Sequence, residues 1–201
     1  MDQEQIKKLT SFFYEIGTLR KIPRSHQQTL LFQDLSDNIA SHTFRAAVIG
    51  YFLAKQLEVN ADKVLKMCLI HDFEEVRTGD QNWLHKKYVK SFEDEVRKEQ
   101  FEGIENIEET KALSREYDER KTLEAQIAKD ADYLDELFLL REYEWQGSKE
   151  AALWLEGIKG ESEQEKRMFT GLAKKIAKEF KVQNPSSWWQ DSWVAKKKEI
   201  R

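Results

Sequence analysis

Apolar residues recur along this chain at helical spacing. Residues 3–20 carry Ile6, Leu9, Phe12, Phe13, Ile16 and Leu19 three or four apart, or side by side on one face, which predicts a first helix. Residues 21–38 lose the pattern and read as an irregular connection containing Pro23, Arg24 and His26, with Leu30, Leu31 and Phe32 as candidate anchors to a core. A second helix is expected from about Ser41 to Leu57. On its wheel His42 shares a face with Ala46, Ile49 and Leu53, so this histidine points at the core. Asn60 suits an N-cap and Asp62 the first turn of a third helix. Between Val64 and Val76 that helix is apolar on almost every side, the mark of a buried one, and Gly79 is placed to end it.

The middle of the chain is thinner in apolar residues. Trp83 to Val89 reads as a short helix or a loop, and Phe92 to Tyr117, rich in Glu and Lys, as one or two surface helices. A long helix is expected from about Thr122 to Trp145, with further helices near 148–158 and 162–181. Pro185 then opens a tail carrying Trp188, Trp189 and Trp193, for which packing, against the fold or another copy, is the expected role. The reading is an all-α fold. Only two prolines, eight glycines and few β-branched runs support it.

Composition narrows the class. A chain of 201 residues suits one domain with a substantial core. The formal charge is −4 with both signs interspersed, so no nucleic-acid footprint stands out. The single Cys68 lies in an apolar segment and fits a reducing compartment. No apolar run is long enough to span a bilayer, and Met1–Gln5 lacks the basic and apolar regions of a signal peptide, so a soluble cytoplasmic protein is expected.

The chemistry gathers around Leu69–Asp80, where His71 and Asp72 stand together and Glu75 follows one turn later. Buried imidazole and carboxylate are costly unless paired or bound to a cation. A lone core histidine is more often hydrogen-bonded than ligating, and a lone His-Asp dipeptide arises by chance. Together, however, His42, His71, Asp72 and a distant Asp132 give two imidazoles and two carboxylates from three predicted helices, a set suited to Mn, Co, Fe, Ni or Zn.

This H…HD…D pattern resembles the HD-domain metal-dependent phosphohydrolases. The stretch His71-Asp72-Phe73-Glu74-Glu75-Val76-Arg77-Thr78-Gly79-Asp80 is similar to the HD-x-x-E-x-x-T-G-D signature of the 5′-deoxynucleotidase-like branch. Lys129-Asp130-Ala131-Asp132-Tyr133-Leu134 resembles its K-x-A-D-x-L segment. Ser41-His42 resembles its S-x-H segment, with Ala40 where the family has Ser. The resemblance implies a single HD-domain helical bundle over 1–201, with its core at about 6–145 and C-terminal helices and the Trp-rich tail over about 146–201.

It further implies one divalent cation on His42, His71, Asp72 and Asp132. Glu75 corresponds to the carboxylate associated with the attacking water, and Asp80 to an acid near the scissile ester. The implied activity is phosphate removal from (deoxy)nucleoside 5′-monophosphates, with a homodimer expected and neither nucleic acid nor membrane as partner. The family's Arg-x-Gly-Trp segment, whose Arg meets the phosphate, is here Arg24-Ser25-His26-Gln27, so Arg24 is kept and the Gly-Trp is not. Other nucleotides (dNTP, cyclic nucleotide, alarmone) and a non-catalytic nucleotide-binding module stand as alternatives. His26 and His85 read as loop residues, which favours a mononuclear site, and Asp130, Asp135 and Glu136 are rival carboxylates on the Asp132 helix.

Overall fold

The computed structural model describes residues 1–157, 160–190 and 192. Among these there are helices and no strands, with one isolated bridge between Pro23 and Asn38. Trp193 and Lys196–Lys198 lie outside the described residues. No helix of the described residues is long and apolar enough to cross a membrane.

The core is a three-helix contact of α3 (Ile39–Gln56), α4 (Ala61–Ile70) and α9 (Leu123–Trp145). Small residues let these helices close on one another. A Cβ at Gly50 of α3 would lie 2.7 Å from Cys68 Sγ and 3.1 Å from a Val64 methyl on α4, and 3.4 Å from Ala131 on α9. Ala46, Ala54, Ala125 and Ala128 are likewise buried along the seam. Each helix is capped at its start: Asn38, Asn60 and Thr122 each accept a backbone N–H from the first turn, and of these Asn60 is the cap the sequence reading named. Thus α3 begins two residues before the expected Ser41.

The other elements surround this seam. α1 (Gln3–Ile16) continues into a 3-10 turn (Gly17–Lys21) and lays Phe12 against Phe73 and Phe101. α2 (Gln27–Leu30) sits in the expected irregular connection. There Leu30 is buried, whereas Leu31 is 82% exposed and left-handed at φ 53°, so it is not the anchor expected of it. α7 (Glu93–Gln100) and α8 (Glu108–Glu119) fill the charged middle. α10 (Lys149–Glu156), α11 (Glu163–Arg167) and α12 (Gly171–Val182) pack on α9, and Ala151, Leu155, Ala173 and Phe180 join the same apolar cluster. The helix expected over 162–181 is broken at 168–170. Asp130 of α9 accepts the Phe169 and Thr170 amides at 2.8 Å each, and Thr170 then caps α12.

The expected buried helix through Val76 also breaks. α4 stops at Ile70, residues 71–74 turn, and α5 (Glu75–Thr78) follows, ending at Gly79 with φ 70°. His71 Nδ1 donates to the Cys68 carbonyl at 2.7 Å, the acceptor that a continuing helix would offer the Asp72 amide. The next amides bond three residues back instead, as Glu75 does to Asp72. Nor is α4 apolar-buried all round, since Leu69 is 43% exposed.

Candidate metal centre

α3 and α9 deliver His42 and Asp132 to one point, and the turn that follows α4 adds His71 and Asp72. His42 Nδ1 donates to Asp135 Oδ2 at 2.5 Å, and His71 Nδ1 to the Cys68 carbonyl. A neutral imidazole that spends its Nδ1–H in this way carries a lone pair on Nε2. The two Nε2 atoms face each other at 3.2 Å. Two lone pairs at that separation repel unless positive charge lies among them. Carboxylates crowd the same spot: Asp72 Oδ2 is 3.1 Å from His71 Nε2 and 3.5 Å from His42 Nε2, and Asp132 Oδ1 is 3.2 Å from His42 Nε2. One atom each of His42, His71 and Asp72 lies within 4.8 Å of the others, a spacing that could hold an ion.

The electrostatics describe a cage for positive charge. With no cation in place the carboxylates draw a proton to His42 instead: burial and the Arg24 charge oppose its protonation, yet Asp132 and Asp135 push its pKa up to about 9. Burial opposes ionisation of Asp72, but His71 and His42 hold it at about 2. Asp132 is held well below the carboxylate range, its burial outweighed by Lys129, His42 and His71. A set that so favours cationic company, with imidazole nitrogens already aimed inward, fits a divalent metal.

Around the cage lies a cavity of about 580 Å³ whose walls include Arg24, Asp72, Glu75, Asp80 and Asp132. Sequence reasoning thus selected residues that the fold brings together. Arg24 is no surface arginine: its side chain is 11% exposed, and Nε lies 3.4 Å from Asp80 Oδ2, which also accepts the Ser25 amide at 2.6 Å. Burial works against its charge, but Asp80, Asp72, Asp132 and Glu136 stabilise the guanidinium. Glu75 reaches the cavity from the start of α5, not from a continuous helix wheel. Burial and the charges of Asp72 and Asp80 push it up to about 10, and its Oε2 has no hydrogen-bond partner. Glu74, the neighbouring acid, is buried away from the cavity.

Several features lay beyond the sequence reading. Asp135, taken there as a rival to Asp132, instead holds the His42 ring and accepts Arg45 Nε at 2.5 Å. Its position three residues after Asp132, one turn along the same helix, was the available signal. His26, expected to be a loop residue, is buried and bonded to Asp37 Oδ2 at 2.7 Å. His85 lies in α6 (Trp83–Tyr88), a helix that also sets Trp83 on the cavity wall. Lys129 meets Asp132 Oδ2 at 2.5 Å, and the Tyr117 ring packs 5.4 Å from that of His71.

Comparison with known proteins agrees with this geometry. The family model described as the HD domain matches residues 16–181. A Dictyostelium discoideum protein named 5′-deoxynucleotidase HDDC2 is 30% identical over 126 residues, covering 56% of this chain and 66% of its own length. The Shigella boydii protein named 5′-deoxynucleotidase YfbR is 27% identical over 135 residues, 64% of each. The match therefore spans just under two thirds of these relatives. A conserved hypothetical protein from Pyrococcus furiosus superposes with a TM-score of 0.68 at 25% identity, over 87% of this chain and 99% of that one. The resemblance read from His42, His71-Asp72 and Asp132 is borne out, and the chain belongs to the HD-domain family.

Proposed function

We propose that this protein is a metal-dependent phosphohydrolase that removes phosphate from nucleoside 5′-monophosphates. The observation that carries the reading is the pair of facing Nε2 atoms, flanked by Asp72 and Asp132 and opening on a cavity walled by Arg24. The names of the Dictyostelium and Shigella relatives support the substrate class. His42, His71, Asp72 and Asp132 would hold one divalent cation, with Mn, Co, Fe, Ni and Zn compatible with the donors. When bound, that cation acidifies water and stabilises phosphoryl charge.

The chain's own groups supply the rest. Arg24, charged and held by Asp80, binds the phosphate oxygens. Glu75 borders the cage with an unpartnered oxygen; a cation held beside it would favour its carboxylate form, which orients or deprotonates the attacking water. Asp80, 3.4 Å from Arg24 Nε and 2.6 Å from the Ser25 amide, orients Arg24 and stands by the leaving 5′-oxygen. The test is phosphate release from a panel of nucleotides with Mn or Co added. Release from nucleoside 5′-monophosphates is expected, and full turnover by metal-free protein would contradict the reading.

One observation favours a second substrate class within the same chemistry. Lys86, Lys87 and Arg120 also line the cavity, and Arg120 Nε is buried without a hydrogen-bond partner. Such cations suit a nucleotide with more than one phosphate. Release of pyrophosphate or triphosphate, in place of phosphate, would identify it. We also infer a homodimer from the exposed Phe44, Val48 and Phe52, four residues apart on α3. The shared apolar cluster of α9 to α12 supports one domain.

A further inference from the structure

We propose that Trp83 is the platform on which the substrate's base stacks; this deepens the nucleotide reading above and rests on it. Besides His26, which is tied to Asp37, two aromatic side chains among the described residues line the cavity, Trp83 and Tyr133. Lys129 Nζ already sits over the Tyr133 ring, 4.8 Å from its centroid, and Tyr133 is half-buried. Trp83 differs. One side of its indole packs against Trp154, with ring centroids 5.1 Å apart, while the residue is 58% exposed. An aromatic held on one side and open on the other is a preformed stacking surface, where ordering costs little on binding.

Its place is fixed relative to the phosphate site. Trp83 is the first residue of α6, three after Asp80. Asn82 caps that helix through Oδ1 and donates from Nδ2 to the Ser25 carbonyl at 2.9 Å. The Ser25 amide in turn donates to Asp80. These bonds stitch the Arg24–Ser25 segment to the start of α6. A phosphate on Arg24 and a planar base on Trp83 thus belong to one ligand, and about 580 Å³ is within the range of small-molecule pockets. Stacking reads a π-face and not a hydrogen-bond pattern, so it predicts low discrimination among bases.

The experiment compares nucleoside 5′-monophosphates with ribose 5-phosphate, which carries the phosphate and sugar but no base. Calorimetric binding and steady-state kinetics are measured for metal-loaded wild type, Trp83→Ala and Trp83→Phe. Trp83→Ala is expected to weaken nucleotide binding roughly 5- to 150-fold and to leave ribose 5-phosphate unchanged. Trp83→Phe should recover most of the loss, and metal content and molecular mass should match wild type. Equal losses for both ligands, no loss for either, or a change of oligomeric mass would overturn the proposal. Because binding is measured separately from turnover, a wild type that binds nucleotides without hydrolysing them refutes the proposed reaction and still tests the stacking.

Discussion

Among the described residues, two buried histidines are each hydrogen-bonded to an aspartate, and the two pairs do different things. His42 bonds to Asp135 at 2.5 Å and His26 to Asp37 at 2.7 Å, and the two histidines are 4% and 5% exposed. Burial and pairing do not separate them. What separates them is what surrounds the pair. Asp37 Oδ2 also accepts Tyr143 Oη at 3.1 Å and Gln27 Nε2 at 3.2 Å, so His26 belongs to a network of protein donors and acceptors. His42 bonds Asp135 through Nδ1 and turns Nε2 toward a second imidazole and two carboxylates. The first arrangement is complete within the protein and holds the Arg24 loop. The second calls for a cation.

Substitutions can break or sharpen this contrast. The largest effect is expected beside the cage. Glu75→Gln should leave the metal bound and lower turnover by about 10²- to 10⁴-fold, read by metal analysis and phosphate release on the same sample. Loss of the metal as well would move Glu75 into the ligand set. Next comes Asp135→Asn, which leaves the four ligands in place but loosens His42. Metal affinity should fall about 10- to 100-fold, measured by titration of stripped protein. The matched change in the other pair, Asp37→Asn, should leave metal affinity as it was. It removes the carboxylate that bonds His26 and should cost about 1–3 kcal/mol of stability in denaturant unfolding. If Asp37→Asn weakened the metal as much as Asp135→Asn, the two pairs would not be distinct.

The sequence made some of this legible and not the rest, for physical reasons. α3 and α9 were readable because their apolar spacing is a local property. The helix start at Ile39, two residues upstream of the expected one, shows how far such a boundary shifts. His42, His71, Asp72 and Asp132, the proposed ligands, were readable because their residue types suit a metal and match the HD-family pattern. The break after Ile70 was not, because it depends on the His71 side chain engaging the Cys68 carbonyl in the folded helix. Asp135 was hidden for a related reason: its role is set by a partner 93 positions away. Trp83 carried no signal in the chain, since its exposure to the cavity follows from Asn82 reaching Ser25. Local patterns announce elements and ligands, whereas bonds between distant segments decide how they are held.

The central claim is that His42, His71, Asp72 and Asp132 hold a single divalent cation on which nucleotide hydrolysis depends. It is tested most directly by returning Co or Mn to metal-stripped protein while following phosphate release from a nucleoside 5′-monophosphate. Activity that rises from background and saturates at one ion per chain, with no binding and no activity in His71→Ala, is the predicted result. Undiminished activity in the stripped protein, or an unchanged one-ion titration in His71→Ala, would contradict it.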